Sequence, residues 1–273
     1  MKKLILLAIA AAIMMTACGK TDAKKIRLAT TTSTDASGLL NVLLPAFTKK
    51  TGIEVEALVL GTGKALETAR LGNADVVMVH SPKDEDKFVA DGFGIERRGF
   101  MKNDFVIIGP ASDPAGIKGM TDAAEAFKKI FSTRTTFISR GDNSGTHVKE
   151  LDIFKKAGIN PTIRYENATA YISAGSGMGE TITMANEKSA YTLADRATWL
   201  GFRKKVQLVL LVENDPILDN PYSIIVVDPK KHPQTNIAGA NAFADWLVSA
   251  EGQEVINSFK IDGAQVFFGT IGK

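Results

Sequence analysis

Short β-prone stretches alternate with helix-like stretches along most of this chain, and that alternation limits its fold more than any other feature. Residues 74–79 are apolar except for Asp75, as is typical of a strand buried in a parallel sheet. Further strands are predicted at 25–29, 55–60, 104–108, 135–139, 163–165, 190–193, 206–212 and 222–227, and helices at 36–50, 64–71, 84–91, 121–131 and 148–157. Because strands and helices follow one another in turn, the sequence predicts an α/β fold.

Two β-rich stretches are candidates for crossings between lobes. Residues 105–108 and 223–227 each lie beside a loop that contains proline. If the chain crosses at both, lobe one comprises 25–108 plus 222–273 and lobe two comprises 109–221. A ligand cleft then lies between the lobes, at the carboxyl ends of the strands. The alternative is two sequential domains that share no strand, and the pattern alone does not separate the two arrangements.

The first residues predict export and a lipid anchor. Two lysines precede the apolar run 4–15, which is too short to cross a bilayer, since spanning takes about 20 residues. A basic start, a short apolar run and small residues at its end are typical of a secretory signal. Cys18, the only cysteine, stands where bacterial lipoproteins are cleaved and acylated. We therefore expect a signal peptide at 1–17, a tether at 18–24 and an extracytoplasmic protein anchored to a bacterial membrane. The alternative is a plain signal peptide in which Cys18 is incidental.

Composition and charge narrow the class of protein. Hydrophobic residues make up 45% of the chain and charged residues 23%, as in ordinary globular proteins. The formal net charge is +3, and removal of the two lysines of the signal leaves 31 basic against 30 acidic residues. Since the lysines form no long stripe, nucleic acid is not an expected partner. Any selectivity for an anion has to come from local geometry.

Segment 139–147 has the composition of an oxyanion site. It joins a β-prone stretch to a helix-like one in the order Ser-Arg-Gly-Asp-Asn-Ser-Gly-Thr-His. The first turn of a helix leaves backbone N–H groups unpaired at the positive end of the helix dipole, which favours an anion. Arg140 adds a forked, permanently charged donor, and Ser144 and Thr146 add hydroxyl groups beside Gly145.

Three further segments lie before a predicted helix, and the first two of them directly follow a predicted strand. Hydroxyl residues fill 30–34, glycines flank a threonine in 61–64, and glycines recur in 173–181. Hydroxyl groups donate hydrogen bonds to an oxyanion, and glycines let the backbone approach a ligand closely. Each segment also has an ordinary interpretation, as a capped helix start, a bare turn or a surface loop, and 61–64 matches neither the Walker nor the dinucleotide-binding pattern. The candidate ligand-binding residues are Thr31, Thr32, Ser33, Gly61, Thr62, Gly63 and Gly177, together with Arg140, Ser144, Gly145 and Thr146.

These segments, with Tyr-Thr-Leu-Ala-Asp-Arg at 191–196, resemble those of the substrate-binding proteins of Tup-type (TupA-like) tungstate ABC transporters. The resemblance covers almost the whole chain after the signal, and the combination of motifs is more specific than any one of them. It implies a two-lobed periplasmic binding protein of the type II-like class, each lobe a mixed sheet flanked by helices, with two hinge crossovers. It also implies that the protein closes on tungstate and delivers it to an ABC permease. The family's use of two loops carries over to Thr32, Ser33, Arg140, Ser144, Gly145 and Thr146. We expect a monomer that needs no cofactor or metal and contacts the membrane only through its lipid anchor.

Asp142 is unexpected in a site for a dianion, because a carboxylate repels an anion. It either accepts the proton that phosphate keeps at neutral pH or pairs with Arg140 and orients it, and the resemblance favours the second role. Phosphate, molybdate and sulfate remain alternative ligands, and an oxyanion sensor module is an alternative function. A secreted hydrolase built on Ser144 and His147 is disfavoured, since Asp142 and Thr146 stand where Gly-x-Ser-x-Gly needs glycine, so no enzyme is expected.

Overall fold

The structure of the chain, a computed structural model, describes residues 24–161 and 171–271. The predicted signal peptide 1–17, Cys18 and the predicted strand 163–165 lie outside the described residues. The strands are β1 (Lys25–Thr31), β2 (Glu54–Leu60), β3 (Val76–Val79), β4 (Gly94–Pro110), β5 (Phe137–Ser139), β6 (Tyr171–Ser173), β7 (Tyr191–Asp195), β8 (Leu208–Val212), β9 (Asp219–Val227), β10 (Lys260–Ile261), β11 (Ala264–Gln265) and β12 (Phe268–Gly269). The helices are α1 (Thr32–Ala36), α2 (Leu40–Thr51), α3 (Thr62–Arg70), α4 (Pro82–Ala90), α5 (Ala123–Ser132), α6 (Gly145–Lys156), α7 (Met178–Glu187), α8 (Arg196–Phe202), α9 (Ile237–Val248) and α10 (Ala250–Ser258), and Pro216–Leu218 form a 3₁₀ turn. Among the described residues, no helix is both long and apolar enough to span a membrane.

The strands form two half-sheets that share one long strand. In the first half-sheet, of order β2-β1-β3-β9-β4, β1 runs parallel to β2 and β3, whereas β9 runs antiparallel to β3 and β4. In the second, β7 runs antiparallel to β4, and β5 lies parallel to β7 and β6. Both half-sheets are therefore mixed and flanked by helices, which confirms the predicted α/β class.

The long strand β4 changes its pairing partner where the lobes meet. From Gly94 to Asp104 it pairs with β9, and from Phe105 onward it pairs with β7 and β8. The chain returns through the 3₁₀ turn into β9, which begins at Asp219. Two connections thus join the half-sheets. The exact lobe boundaries after residues 108 and 221 stay a prediction, and the change of partner along β4 falls between Asp104 and Phe105.

Each half-sheet buries both of its faces. Along β3, Val76 and Met78 belong to one buried cluster, and Val77 and Val79 belong to a second cluster on the opposite face. Residues 105–108 of β4 alternate in the same way between two further clusters. Successive side chains of a strand point to opposite faces, so this alternation shows helices packed on both sides of each half-sheet.

The helix predicted at 36–50 is two helices in the structure. Helix α1 already begins at Thr32, and Gly38, with a φ of 81°, interrupts the chain before α2 starts. Glycine adopts a positive φ without steric cost, whereas continuing the helix would require a negative one. Thr32 and Ser33 therefore lie in the first turn of a helix and not in a loop that precedes it.

Candidate functional site

The predicted segments follow the carboxyl ends of parallel strands. In lobe one, β1 and β2 stay in register up to the pair Thr31–Leu60, and β3 on the other side of β1 leads into His80. In lobe two, β5 and β6 stay in register up to the pair Ser139–Ser173. The loops after these strands lie at one edge of each half-sheet, where ligands bind in open α/β folds.

Thr31 organises the hydroxyl groups at the start of α1. Its side chain caps the helix by accepting a hydrogen bond from the N–H of Thr34 at 3.4 Å. Its Oγ1 also lies 2.7 Å from Thr34 Oγ1 and 3.1 Å from Ser33 Oγ. Thr31 and Thr34 are buried, Ser33 is half-buried and Thr32 is exposed. Thr31 is thus committed to the cap, and the roles of Thr31, Thr32 and Ser33 as ligand contacts stay a prediction.

Gly61, Thr62 and Gly63 start α3 with open space around the two glycines. Gly61 is the N-cap, and the helix has no side-chain cap within the described part of the chain. A methyl group added at Gly61 or Gly63 would meet no atom within 4 Å, and neither glycine has a positive φ. Packing and backbone conformation therefore do not require glycine here. A backbone kept open for a ligand is consistent with both residues.

Arg140 is held by its own loop. Its Nε donates to Asp142 Oδ2 at 3.2 Å, and its Nη2 donates to the same oxygen. Asp142 Oδ1 accepts the N–H of Ser144 at 3.1 Å, so both carboxylate oxygens are engaged. Between them Gly141 has a φ of 59°, and a methyl group there would overlap the side chain of Ser173. The contact is the one expected of an arginine-orienting carboxylate, and its effect on ligand binding stays a prediction.

Helix α6 begins at Gly145, three residues before the predicted start at 148. Ser144 is the N-cap and accepts the N–H of His147 at 3.4 Å. Gly145 and Thr146 therefore lie in the first turn, where backbone N–H groups are unpaired within the helix and the dipole is positive. The Nδ1 of His147 accepts the N–H of Asn143 at 3.1 Å. Ser144 and His147 thus stabilise the loop and the helix start, and they do not form the nucleophile–base contact of a hydrolase.

Glu150 lies buried on α6, beneath the arginine loop. Burial raises the pKa of its carboxyl group to about 7, against hydrogen bonds from Ser139 and Tyr171, and the charge of Asp142 raises it further. The hydroxyl of Tyr171 donates to Glu150 Oε1 at 2.7 Å. A carboxyl group with this pKa is partly protonated at neutral pH, so it adds less than a full negative charge behind the site.

Two further carboxyl groups lie near Arg140. Burial opposes ionisation of Asp142, but hydrogen bonds from Ser144 and Arg140 outweigh it and hold the pKa below its usual value. Asp195, the last residue of β7, is buried, and burial raises its pKa while Thr198 and the charge of Arg140 act in the opposite direction. The guanidinium is therefore largely compensated. A dianion here has to be held by directed hydrogen bonds more than by net charge.

Gly177 starts α7 beside the arginine loop. The N–H of Gly175 donates to the carbonyl oxygen of Arg140 at 2.9 Å, which places the two loops side by side. The hydroxyl of Ser176 is buried and has no hydrogen-bond partner among the described residues. A methyl group added at Gly177 would lie 2.6 Å from Oε2 of Glu180, so that carboxylate covers the start of the helix. The role of Gly177 as a ligand contact stays a prediction, and a ligand there would have to displace Glu180.

His80 brings the segments of the two lobes together. Its Nε2 lies 3.3 Å from Ser33 Oγ in lobe one. A methyl group added at Gly145 in lobe two would stand 2.7 Å from its Cε1. The hydroxyl cluster and the start of α6 therefore flank one imidazole ring. His80 was not among the residues predicted from the sequence, because a single histidine after a strand belongs to no recognisable motif.

A groove of about 920 Å³ runs along the hinge strands but is lined by none of the predicted site residues. Most of its charged side chains pair with one another. Arg196 donates to Asp104 at 2.6 and 2.7 Å and to Glu213 at 2.8 Å, and Lys102 donates to Asp219 at 2.8 Å. The groove is therefore not the site that the sequence predicted. Within residues 24–161 and 171–271, no cluster of three or more His, Cys, Asp or Glu side chains is arranged to hold a metal ion.

The comparisons with known proteins agree with one another. A family model described as a PBP superfamily domain matches residues 18–251. The tungstate-binding protein TupA of Peptoclostridium acidaminophilum is 48% identical over 243 residues, which cover 88% of this chain and 83% of that protein. The tungstate-binding protein TupA from Desulfovibrio alaskensis G20 superposes with a TM-score of 0.84 at 44% identity, covering 90% of this chain and 99% of that one. The structure of the tungstate ABC transporter from Geobacter sulfurreducens superposes with a TM-score of 0.77 at 48% identity, covering 86% and 99%.

Proposed function

The chain belongs to the TupA-like family of the periplasmic binding protein superfamily, and from that membership we propose that it binds tungstate between its lobes and delivers it to the permease of an ABC transporter. One observation carries the proposal. Ser33 of lobe one and Gly145 of lobe two both lie against His80, so a hydroxyl cluster and the positive end of a helix lie on either side of one side chain. A small oxyanion is the ligand that such a pair of surfaces suits.

The number of available donors fits a tight site. Hydrogen bonds that involve an ionised partner contribute about 1.5–3 kcal/mol each. Six of them give about 9–18 kcal/mol, from which association subtracts at least about 4 kcal/mol. Nanomolar affinity needs about 12 kcal/mol, so two or three donors are too few. The starts of α1, α3 and α6 and the guanidinium of Arg140 supply enough donors only if both lobes contribute, which ties binding to closure.

The state of Asp142 favours a ligand without a proton. Its Oδ2 accepts from Nε and Nη2 of Arg140 and its Oδ1 accepts from the N–H of Ser144, so three of the roughly four acceptor positions of the carboxylate are filled. Hydrogen phosphate needs an acceptor for its own proton, whereas tungstate, molybdate and sulfate carry none at neutral pH. This observation supports a fully deprotonated tetrahedral dianion over phosphate. Tungstate is preferred within that class because the relatives that align along most of this chain are tungstate-binding proteins.

The protein acts outside the cytoplasm as a carrier and not as a catalyst. The relatives are solute-binding proteins, and the capping roles of Ser144 and His147 support binding without chemistry. Acylation of Cys18 attaches the folded part, a monomer, to the membrane. Metabolic labelling with a radioactive fatty acid tests the anchor: label in the wild type and none in Cys18→Ser is the expected result, and label in neither overturns it.

Competitive isothermal titration calorimetry tests the ligand. We expect tungstate and molybdate to bind the purified protein with submicromolar affinity and sulfate and phosphate to bind at least about a hundredfold more weakly, a difference of about 2.8 kcal/mol. No heat on addition of tungstate refutes the proposal. Displacement of tungstate by an equal concentration of phosphate assigns the protein to phosphate instead.

A further inference from the structure

A network of buried, hydrogen-bonded polar side chains lies directly behind the proposed anion site. His80 Nδ1 is 3.0 Å from Asn220 Oδ1, and Asn220 Nδ2 donates to Asn103 Oδ1 at 2.7 Å. Asn103 Nδ2 donates to the hydroxyl of Tyr222 at 3.4 Å, and Tyr222 also interacts with Ser33. His80, Asn103, Asn220 and Tyr222 are each at most 9% exposed. A buried polar group without a hydrogen-bond partner destabilises the folded protein. The hydrogen bonds of this network therefore fix the positions of all four side chains.

The directions of the hydrogen bonds determine the state of the imidazole. Because the amide nitrogen of Asn220 donates to Asn103, its oxygen accepts from Nδ1 of His80. The Nε2 of His80 is then an acceptor for the hydroxyl of Ser33. Burial lowers the pKa of His80 to about 4, against the hydrogen bond with Asn220, which agrees with a neutral ring. The ring is also packed on Tyr222, with 4.7 Å between ring centroids, so it has little freedom to turn.

The same network of side chains connects the proposed site to both hinge strands. Asn103 lies on β4 next to the point where that strand changes partner, and Asn220 lies near the start of β9. Helix α6, which carries Gly145, is tied to the same place: Lys149 Nζ donates to the carbonyl oxygens of Ile217 at 2.8 Å and Asp219 at 3.0 Å. Both His80 and α6 are therefore in contact with the hinge connection at the start of β9.

We propose that His80 is a positioning residue of the anion site: it holds Ser33 from lobe one, receives Gly145 from lobe two on closure, and links both to the hinge strands through Asn220. The inference rests on the proposed function. Gly145 is the residue that lets α6 approach the ring. A side chain at this position would meet His80 at 2.7 Å, closer than a Cβ normally comes to another heavy atom, and the pinned ring has nowhere to retreat.

A double-mutant cycle with sodium tungstate tests this contact. We expect Gly145→Ala to weaken tungstate binding by about tenfold or more in the wild-type background and by less than about threefold in the His80→Ala background, since residues in contact couple and distant ones do not. Gly201→Ala, also on a helix and with no atom within 4 Å of an added methyl group, is the matched control and should leave the affinity unchanged. Urea unfolding of every variant separates loss of stability from loss of binding.

His80→Gln supplies a conservative rescue and replaces His80→Ala in the cycle if that variant does not fold. The side-chain amide of the glutamine can donate a hydrogen bond to Asn220 and accept one from Ser33. His80→Gln should therefore recover part of the affinity that His80→Ala loses, although both variants lack the imidazole ring. Equal effects of Gly145→Ala in both backgrounds, with tungstate bound by the wild type, overturn this inference alone. A wild type that binds no tungstate overturns the proposed function and this inference with it.

Discussion

Replacement of Arg140 by alanine is the most direct test of the site. Two of the five guanidinium N–H donors, on Nε and Nη2, already point to Asp142. The remaining donors include both hydrogens of Nη1, which is the part of the fork left for an oxyanion. Asp142 also accepts a hydrogen bond from the N–H of Ser144, so it keeps the guanidinium group in one orientation before a ligand arrives. Arg140→Ala removes these donors and leaves a carboxylate unpaired beside the ligand.

The structure sets the size of the effect. Two charge-assisted hydrogen bonds from Arg140 contribute about 3–6 kcal/mol, which corresponds to roughly a hundredfold to ten-thousandfold in affinity. The unpaired charge of Asp142 repels a dianion and adds to this loss. Arg140→Lys keeps one positive charge but loses the planar fork, so its affinity should lie between those of the wild type and the alanine variant.

Calorimetric titration with tungstate measures these affinities. Arg98→Ala is the matched control, since Arg98 also forms an ion pair, at 2.7 Å with the exposed Asp245, but lies on the lobe-one part of β4 and not among the site segments. Its affinity should stay within about twofold of the wild type, because Arg98 is not part of the site segments and the lost surface ion pair changes folding stability by only about 0–1 kcal/mol. The reasoning is refuted if urea titration shows that the Arg140→Ala protein is folded and its affinity for tungstate is within threefold of the wild-type affinity.

Further predictions concern the rest of the loop. Asp142→Asn should leave the ratio of tungstate to phosphate affinity unchanged in competitive calorimetry, whereas a selective loss of phosphate binding would show that Asp142 accepts the ligand's proton. Glu150 has a raised pKa of about 7, so its protonated form is stabilised in the folded state, and stability falls as pH rises from about 4.5 to 7. At pH 8, Glu150→Gln should therefore have a free energy of unfolding up to about 3 kcal/mol above that of the wild type, and at pH 4.5 the two should be similar. Urea titrations at both pH values measure this difference, and an equal difference at the two pH values contradicts the prediction. Gly141→Ala should lower the free energy of unfolding more than Gly158→Ala does, since both glycines have a positive φ but only Gly141 lies against Ser173. Equal decreases in urea titrations would show that the side chain of Ser173 moves away without loss of stability.

The sequence predicted most of the strand–helix alternation because that signal is local. Buried strands such as β3 are uniformly apolar, and glycines and prolines separate them from helices. The long strand β4 was foreseen only at 104–108, because its first part carries Glu96, Arg97 and Arg98 on exposed or half-buried positions. A polar strand stabilised by pairing with β9, which follows about a hundred residues later, has no signal of its own. The break at Gly38 was missed because the apolar residues that predicted the helix, from Leu39 to Phe47, all follow it, so their pattern does not mark where the helix begins.

The candidate site shows the same division. The loop that carries Arg140, Ser144 and Gly145 was predicted because a strand, a polar turn and a helix start follow one another directly in the sequence, and its role in ligand binding stays a prediction. His80 and Asn220 were not, because their contact joins residues 140 positions apart and depends on β3 and β9 being neighbours. Only the sheet order reveals that pairing. Residues that act through tertiary position alone, with common side chains and no motif, stay invisible to pattern reasoning.

On the proposed function, a compensated arginine and a set of neutral dipoles also explain how the ligand is released. A strongly positive cleft would attract any anion and would hold it equally well when open, since charge acts at a distance. Hydrogen bonds act only at contact, so a ligand shared between the lobes loses about half of its donors when the hinge opens. If three of six are lost, affinity falls by about 4.5–9 kcal/mol, or more than a thousandfold. On the proposed function, donors divided between the start of α1 in lobe one and Arg140 with the start of α6 in lobe two would make binding tight when the cleft is closed and release fast when it opens.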